Sequence, residues 1–262
     1  MGIFPVRTPT LPPATHTNVY VIESADGLTV IDPASPYDEE RLALDAALEA
    51  LKKPLYEIVL THHHLDHVSG AAHLAERFGV GVAAHAETAN RLRDRVQVTR
   101  LLSEGDLVAG QYEALHTPGH APGHLCFLDR RTRALIAGDM VASIGTIIVE
   151  PDDGGDMGVY LEQLQRLRAL APVELLPAHG PPVAEADDKL RFYITHRLER
   201  EARVVAALGN EPRTVAELVP PAYPDVQPLL YPLAARSLLA HLYKLEKDGR
   251  ARRDGGLWIK IP

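Results

Sequence analysis

The stretch VLTHHHLDHVSG, Val59 to Gly70, sets four imidazoles and a carboxylate within the six consecutive residues from His62 to His67. EIVLTH, leading into the histidines, reads as a short buried strand, and GAAHLAERFG as a helix ended by Gly79. Side chains alternate faces along an extended chain. If the strand continues through the histidines, His62 and His64 point to one side and His63 to the other. Asp66 and His67 follow where the chain turns into the helix. The spacing therefore predicts two ligand pairs, His62 with His64 and Asp66 with His67, and leaves His63 as a bystander.

Two donors are too few for an ion, since zinc takes four, or three and a water where it catalyses. The missing donors stand at three other strand ends: His120 in TPGH, Asp139 in AGD and His179 in PAHG. Each follows an apolar run and precedes a Gly- or Pro-rich turn, where functional side chains concentrate. His120 would complete the first pair and His179 the second. The anionic Asp139 would bridge the two ions. Nitrogen and oxygen donors without a thiolate suit zinc, manganese or iron, and two zinc ions are the expected cofactors. Isolated histidines such as His73, His85, His196 and His241 are expected to be ordinary core or surface residues.

Around this stretch the chain alternates strand and helix patterns. NVYVIES and LTVIDP read as a hairpin about Asp26–Gly27, and SPYDEERLALDAALEALKKP as an amphipathic helix with Ser35 as cap and Pro36 at its first position. VGVAAH reads as another strand, YEALHTPGHAPGHLCFLD and RALIAGDMVA as two more with loops rich in Gly, Pro and His, DMGVYLEQLQRLRAL as a helix, and ELLPAHGPP as a strand running into a loop. This is α/β architecture. The tail differs: a long charged helix, a short helix that Thr214 caps, a leucine-spaced helix ended by Gly249, and two β-prone runs about Gly255–Gly256. That order is a winged helix. The expected division is 1–185 for a catalytic-type unit and 186–262 for a helical linker and winged helix.

Composition supports a globular chain of 262 residues, 46% hydrophobic and 24% charged, with a formal net charge of −8. Residues 1–185 carry 14 Lys and Arg against 25 Asp and Glu, whereas 186–262 carry 13 against 10. Only the tail leans basic, with Lys244, Lys247, Arg250, Arg252 and Arg253 as candidate phosphate contacts. The single cysteine, Cys126, sits in an apolar run and is expected to be a small buried hydrophobe. No secretory signal and no 18-residue apolar span is read, so the expected location is cytoplasmic, with no membrane partner.

THHHLDH resembles the T-H-x-H-x-D-H signature of the metallo-β-lactamase superfamily, and IDPA, HTPGHAPGH, GD and PAHG fall in that family's order. The resemblance covers roughly residues 15–185. It implies an αββα sandwich with a two-metal site along one edge of the sheets, and a hydroxide held between the ions as nucleophile. The family's metal residues carry over onto His62, His64 and His120 for one ion and Asp66, His67 and His179 for the other, with Asp139 bridging. Asp66 also orients the water, so Asp66 and Asp139 are the expected catalytic carboxylates. Asp32 matches an aspartate that braces the metal loop. Thr61 is a second supporting residue, and His124 either hydrogen-bonds near the site or is simply packed.

The tail after this domain resembles that of the lactamase-like endoribonucleases of the lactamase-beta-like-2 group, which implies cleavage of single-stranded RNA. An ester, thioester or lactone hydrolase, similar to glyoxalase II at the metals and with a tail that forms a homodimer, is the alternative reading. A non-catalytic DNA binder is a third, against which the intact ligand set argues. The loop Ala142–Gly158, directly after the bridging aspartate, is expected to line the pocket and shape substrate choice.

Overall fold

The computed structural model describes residues 1–11 and 13–261. The chain separates into two compact units. One comprises residues 1–117, 122–146 and 171–187; the other comprises 118–121, 147–170 and 188–262.

In the first unit, strands β1 (Gly2–Arg7), β2 (His16–Glu23), β3 (Leu28–Ile31), β4 (Leu55–Val59), β5 (Gly81–His85) and β6 (Arg100–Leu102) form one sheet in sequence order. β1 to β3 pair antiparallel, and β3 to β6 run parallel. Strands β7 (Leu107–Val108), β8 (Tyr112–His116), β9 (Leu125–Asp129), β10 (Ala134–Gly138) and β11 (Glu174–Pro177) form the second, in the order β11-β10-β9-β8-β7. Only β10 and β11 pair parallel there.

The expected hairpin forms, with Tyr20 opposite Ile31 and Val21 opposite Val30. Its alternation sends the two faces of the sheet to different cores. Tyr20, Ile22, Ile31, Val59 and Ala83 pack with Tyr112, Ala114, Phe127, Ile136 and Leu176 of the second sheet. Val19, Val21, Val30 and Ile58 pack with Leu44, Leu48 and Leu74 of the helices α1 (Asp38–Ala50) and α3 (Ala71–Phe78). The one-turn helix α2 (Leu65–Val68) and α4 (Ala86–Leu92) complete this unit's helices.

Ser35 is not the cap of α1. The N-cap is Tyr37, which makes no side-chain cap bond, and the helix starts at Asp38. Ser35 is instead buried in a tight loop where Pro33 O accepts the amides of Ser35 and Gly70. A Cβ on Gly70 would meet Pro33 O at 2.4 Å, so the loop and the start of α3 interlock through that glycine. Asp38, Glu39 and Glu40 in the first turn complement the helix dipole where a cap is lacking. Gly79 ends α3 as expected, at φ 66°. Strand β1, which contains Pro5, has no counterpart in the sequence reading. It is an edge strand, where the absent N–H is tolerated.

The second unit contains α5 (Met157–Ala169), α6 (Ala186–Leu208) from residue 188 onward, α7 (Val215–Ala222), α8 (Tyr231–Lys247) and the hairpin β12 (Ala251–Asp254)–β13 (Leu257–Lys260). Thr214 caps α7 in a full capping box with Glu217. Val204, Leu208, Leu218, Val219, Leu238, Leu242, Leu245 and Trp258 form its core. Trp258 is buried, lies edge-on to Tyr243 at 5.6 Å, and exchanges both backbone bonds with Arg213. Helix, helix and hairpin around one tryptophan make the expected winged helix.

Candidate metal centre

Four chain breaks at the carboxyl ends of parallel strands supply the site: Asp32 after β3, Thr61 and His62 after β4, Asp139 after β10, and His179 after β11. Side chains at such strand ends converge on one crevice.

The histidine run is not extended strand. β4 stops at Val59, and the next residues bend. Asp32 sets their course. Its Oδ1 accepts the Thr61 amide at 2.7 Å and its Oδ2 accepts the Thr61 hydroxyl at 2.6 Å. The Thr61 carbonyl takes the Leu125 amide at 2.8 Å, tying the loop to the second sheet. Asp32 itself has φ 52°, a left-handed conformation that aspartate tolerates better than most residues.

These bonds fix tautomers. Thr61 Oγ1 has given its proton to Asp32, so it accepts from His62 Nδ1 at 2.9 Å. His62 Nε2 is then the lone-pair nitrogen, and it faces His64 Nδ1 at 2.9 Å. His67 Nδ1 donates to Asp32 Oδ2 at 2.8 Å. His67 Nε2 is buried and has no hydrogen-bond partner among the described residues. It stands 3.5 Å from Asp139 Oδ1 and 4.0 Å from Asp66 Oδ1. His179 Nε2 lies 3.3 Å from Asp139 Oδ1 and 3.6 Å from Asp66 Oδ2. Its Nδ1 is at 3.0 Å from the His16 carbonyl, which orients the ring.

Separations of 3.3 to 3.6 Å between ring nitrogens and carboxylate oxygens are long for charged hydrogen bonds. Four donors each about 2.1 Å from one zinc ion would stand about 3.4 Å apart, so these separations suit a cation better than direct hydrogen bonds. Donor atoms of Asp66, His67 and His179 lie within 4.8 Å of one another, as do those of His62, His64 and Asp139. This donor set fits two cations.

The fields agree. Burial pushes the His67 ring toward neutrality, but Asp139, Asp66 and Asp32 outweigh it and hold the ring well above its usual range. Burial likewise works against the Asp139 carboxylate, and His179 and His67 overcome it, holding that group well below its usual range. His179 is raised in the same way by Asp139 against its burial. Donors held in this field are the kind that a cation would meet in place of protons.

His63 lies beside the cage, its ring 4.7 Å from that of His64. His120 belongs to the other unit, where it is buried with Nδ1 2.8 Å from the Ile148 carbonyl. That bond leaves Nε2 as its lone-pair nitrogen. His124 is fully buried, with Nε2 accepting the Asp139 amide at 3.0 Å.

Asn18 was missed by sequence reading. Its amide donates to Pro177 O at 2.9 Å and Gly180 O at 2.7 Å, and its own N–H bonds Ala178 O. It holds the turn that carries His179. The one available signal is an amide within the otherwise apolar strand NVYVI. An open cleft of about 440 Å³ reaches His179 and is lined by Pro13 to His16, Ile144 and Gly180. Ile144 belongs to the loop expected to line the pocket.

In the winged-helix unit, the basic residues are largely engaged. Lys244 pairs with Glu201 and Asp248, Lys247 with Asp156, and Arg250 with Glu201. Arg253 bonds the Tyr243 hydroxyl and lies over its ring. Arg252 is exposed. No helix among the described residues is long and apolar enough to cross a membrane.

Comparison with known proteins completes the picture. The family model for the metallo-beta-lactamase superfamily matches residues 12–179, and that for the beta-lactamase associated winged helix domain matches 214–258. A beta-lactamase-like protein 2 homolog of Drosophila melanogaster is 29% identical over 90% of this chain and 84% of its own length. An atrochrysone carboxyl ACP thioesterase of Claviceps purpurea (strain 20.1) is 27% identical over 74% of this chain and 60% of its own. The crystal structure of a metallo-beta-lactamase family protein from Thermus thermophilus superposes with a TM-score of 0.83 at 25% identity, covering 99% of this chain and 98% of that one.

Proposed function

Because the chain belongs to the metallo-β-lactamase superfamily, we propose that it is a dinuclear metal-dependent hydrolase of small acyl substrates, esters or thioesters. The observation that carries the metal reading is His67 Nε2, buried and without a hydrogen-bond partner among carboxylate oxygens at 3.5 and 4.0 Å. His62, His64 and His120 hold one ion, Asp66, His67 and His179 the other, and Asp139 serves both. Two zinc ions suit the set, with manganese or iron as chemically allowed substitutes.

Bound divalent ions supply Lewis acidity and lower the pKa of water toward neutrality. The chain's own residues do the rest. Asp32 and Thr61 hold His62 and His67 as tautomers whose Nε2 faces inward. Asp139 places one negative charge between the two histidine groups. Asp66 is the carboxylate that meets solvent: its side chain is 18% exposed, against 9% for Asp139 and 3% for Asp32. Its oxygens are therefore placed to orient an attacking water and receive its proton.

Two observations favour an acyl substrate. Four of the five basic side chains expected to meet phosphates are already engaged within their own unit. A relative that matches 74% of this chain is named as an ACP thioesterase. Cleavage of single-stranded RNA is the second reading. It is favoured by the full-length likeness to a beta-lactamase-like protein 2 homolog and by the winged-helix match.

One experiment separates them. Zinc-loaded protein is given a panel of acyl thioesters and, in parallel, a labelled single-stranded RNA, beside Asp66→Ala. Thioester turnover lost in the variant, with intact RNA, supports the acyl reading. RNA fragments lost in the variant would replace it with the second. Two bound zinc ions with neither substrate cleaved would sink both substrate assignments.

A further inference from the structure

We infer that His124 is a positioning residue that anchors Asp139 by its main chain and, with Thr117, closes the loop bearing His120. The inference rests on Asp139 being a metal ligand, as proposed above.

His124 is fully buried, and its Nε2 accepts the Asp139 amide at 3.0 Å. An imidazole nitrogen has one in-plane lone pair, so this nitrogen is not available to an ion. The proton of the neutral ring is therefore on Nδ1, which lies 2.8 Å from Thr117 Oγ1. Thr117 accepts there and donates onward to Cys126 Sγ at 3.3 Å. The Cys126 thiol in turn points to the Ala137 carbonyl at 3.4 Å. Three buried side chains thus make a one-directional circuit from Asp139 back to Ala137, two residues earlier on β10.

Gly138 is the residue between. Its φ is 48°, and a Cβ there would lie 2.5 Å from His124 Nε2. Glycine lets the strand end turn its next amide onto the ring. Thr117 and His124 also share a backbone bond, Thr117 N to His124 O at 2.9 Å, which closes the intervening loop at its base. The same histidine therefore fixes the strand end carrying Asp139 and both ends of the segment carrying His120. This assigns Cys126 a second role beyond filling apolar space: it ends the circuit.

The test uses the full chain, with zinc as probe, in His124→Leu, His124→Gln and Thr117→Val. Glutamine can place an oxygen where Nε2 stands; leucine cannot. Two readouts are taken: hydrogen exchange of the Asp139 amide without metal, and zinc affinity by chelator competition. Leucine should speed exchange and weaken zinc binding by about 10- to 100-fold, the range for losing an outer partner of a ligand. Glutamine should recover most of both. Thr117→Val, which keeps the ring and removes its orienting hydroxyl, should shift both in the same direction by less, and it serves if the leucine variant does not fold. Leucine and wild type exchanging alike would overturn the bond itself. Faster exchange with unchanged zinc affinity would overturn the positioning role. Wild-type protein that protects the amide yet binds no zinc would fail the metal reading, and the inference with it.

Discussion

Asp32 and His67, 35 residues apart in the chain, meet at 2.8 Å in the interior, carboxylate Oδ2 to ring Nδ1. The same carboxylate takes the Thr61 amide and hydroxyl. One residue thus sets the course of the histidine loop and the tautomer of the His67 ring. Asp32→Asn keeps the size and tolerates the left-handed backbone, but its single carbonyl oxygen cannot accept from all three donors. Zinc affinity should fall by about 10- to 100-fold, read by chelator competition. Unchanged affinity would show that His67 orients itself without Asp32.

Asn18 bonds both ends of the turn carrying His179. Asn18→Ala takes the side-chain donor from the Gly180 carbonyl, while Pro177 O keeps the Tyr20 hydroxyl, and should cost about 1–3 kcal/mol. The denaturant midpoint measures this. Zinc stoichiometry under limiting metal should drop as well, because His179 loses its frame. A variant of wild-type stability would refute the bracing role.

Ile144 is 65% exposed, yet it lines the cleft that ends on His179. An exposed apolar side chain contributes little to folding and is available to a substrate. Ile144→Ala should leave the melting temperature nearly unchanged and raise KM for long acyl thioesters, with kcat held. Equal KM across chain lengths, before and after the change, would remove this loop from substrate choice.

The winged-helix unit should lose stability in acid through its histidines. Burial, then Arg197 and Arg200, lowers His196 to about 4 against Asp225, with Arg203 adding to it. His241 is fully buried and held well below its usual range by burial, Arg197, Lys244, Arg200 and His196. Unfolded histidines take protons below about 6.5 while the folded ones do not, so the unfolded state binds more protons and stability falls as pH drops from about 6.5 toward 4. The only tryptophan, Trp258, lies in this unit's core, so its fluorescence isolates the transition. His196→Gln should flatten the slope over that window. An equally steep slope would assign the effect elsewhere.

Much of this protein was legible along the chain. His62 to His67 announced a metal loop because short-range spacing alone gathers donors that no ordinary core collects. Hydrophobic periodicity and glycine stops placed most strands and helices, including Gly79 after α3 and the Thr214 cap of α7. Where a residue's role depends on a partner dozens of residues away, local pattern had nothing to report. Ser35 carries the composition of a cap, but Gly70 and Pro33 draw it into a buried loop. Strand β1 contains Pro5, and only its edge position makes that proline acceptable.

The kind of chemistry is written along the chain: which donors exist, and in what order they leave their strands. Their tautomers and supports come from contacts made only in the folded protein. Asp32 chooses the tautomers of His62 and His67, Asn18 holds the turn of His179, and His124 spends its lone pair on the Asp139 amide rather than on an ion. A hydrogen bond is directional and short-ranged. Which nitrogen faces the cavity is therefore settled only when the strand ends of two sheets are brought within about 3 Å of one another.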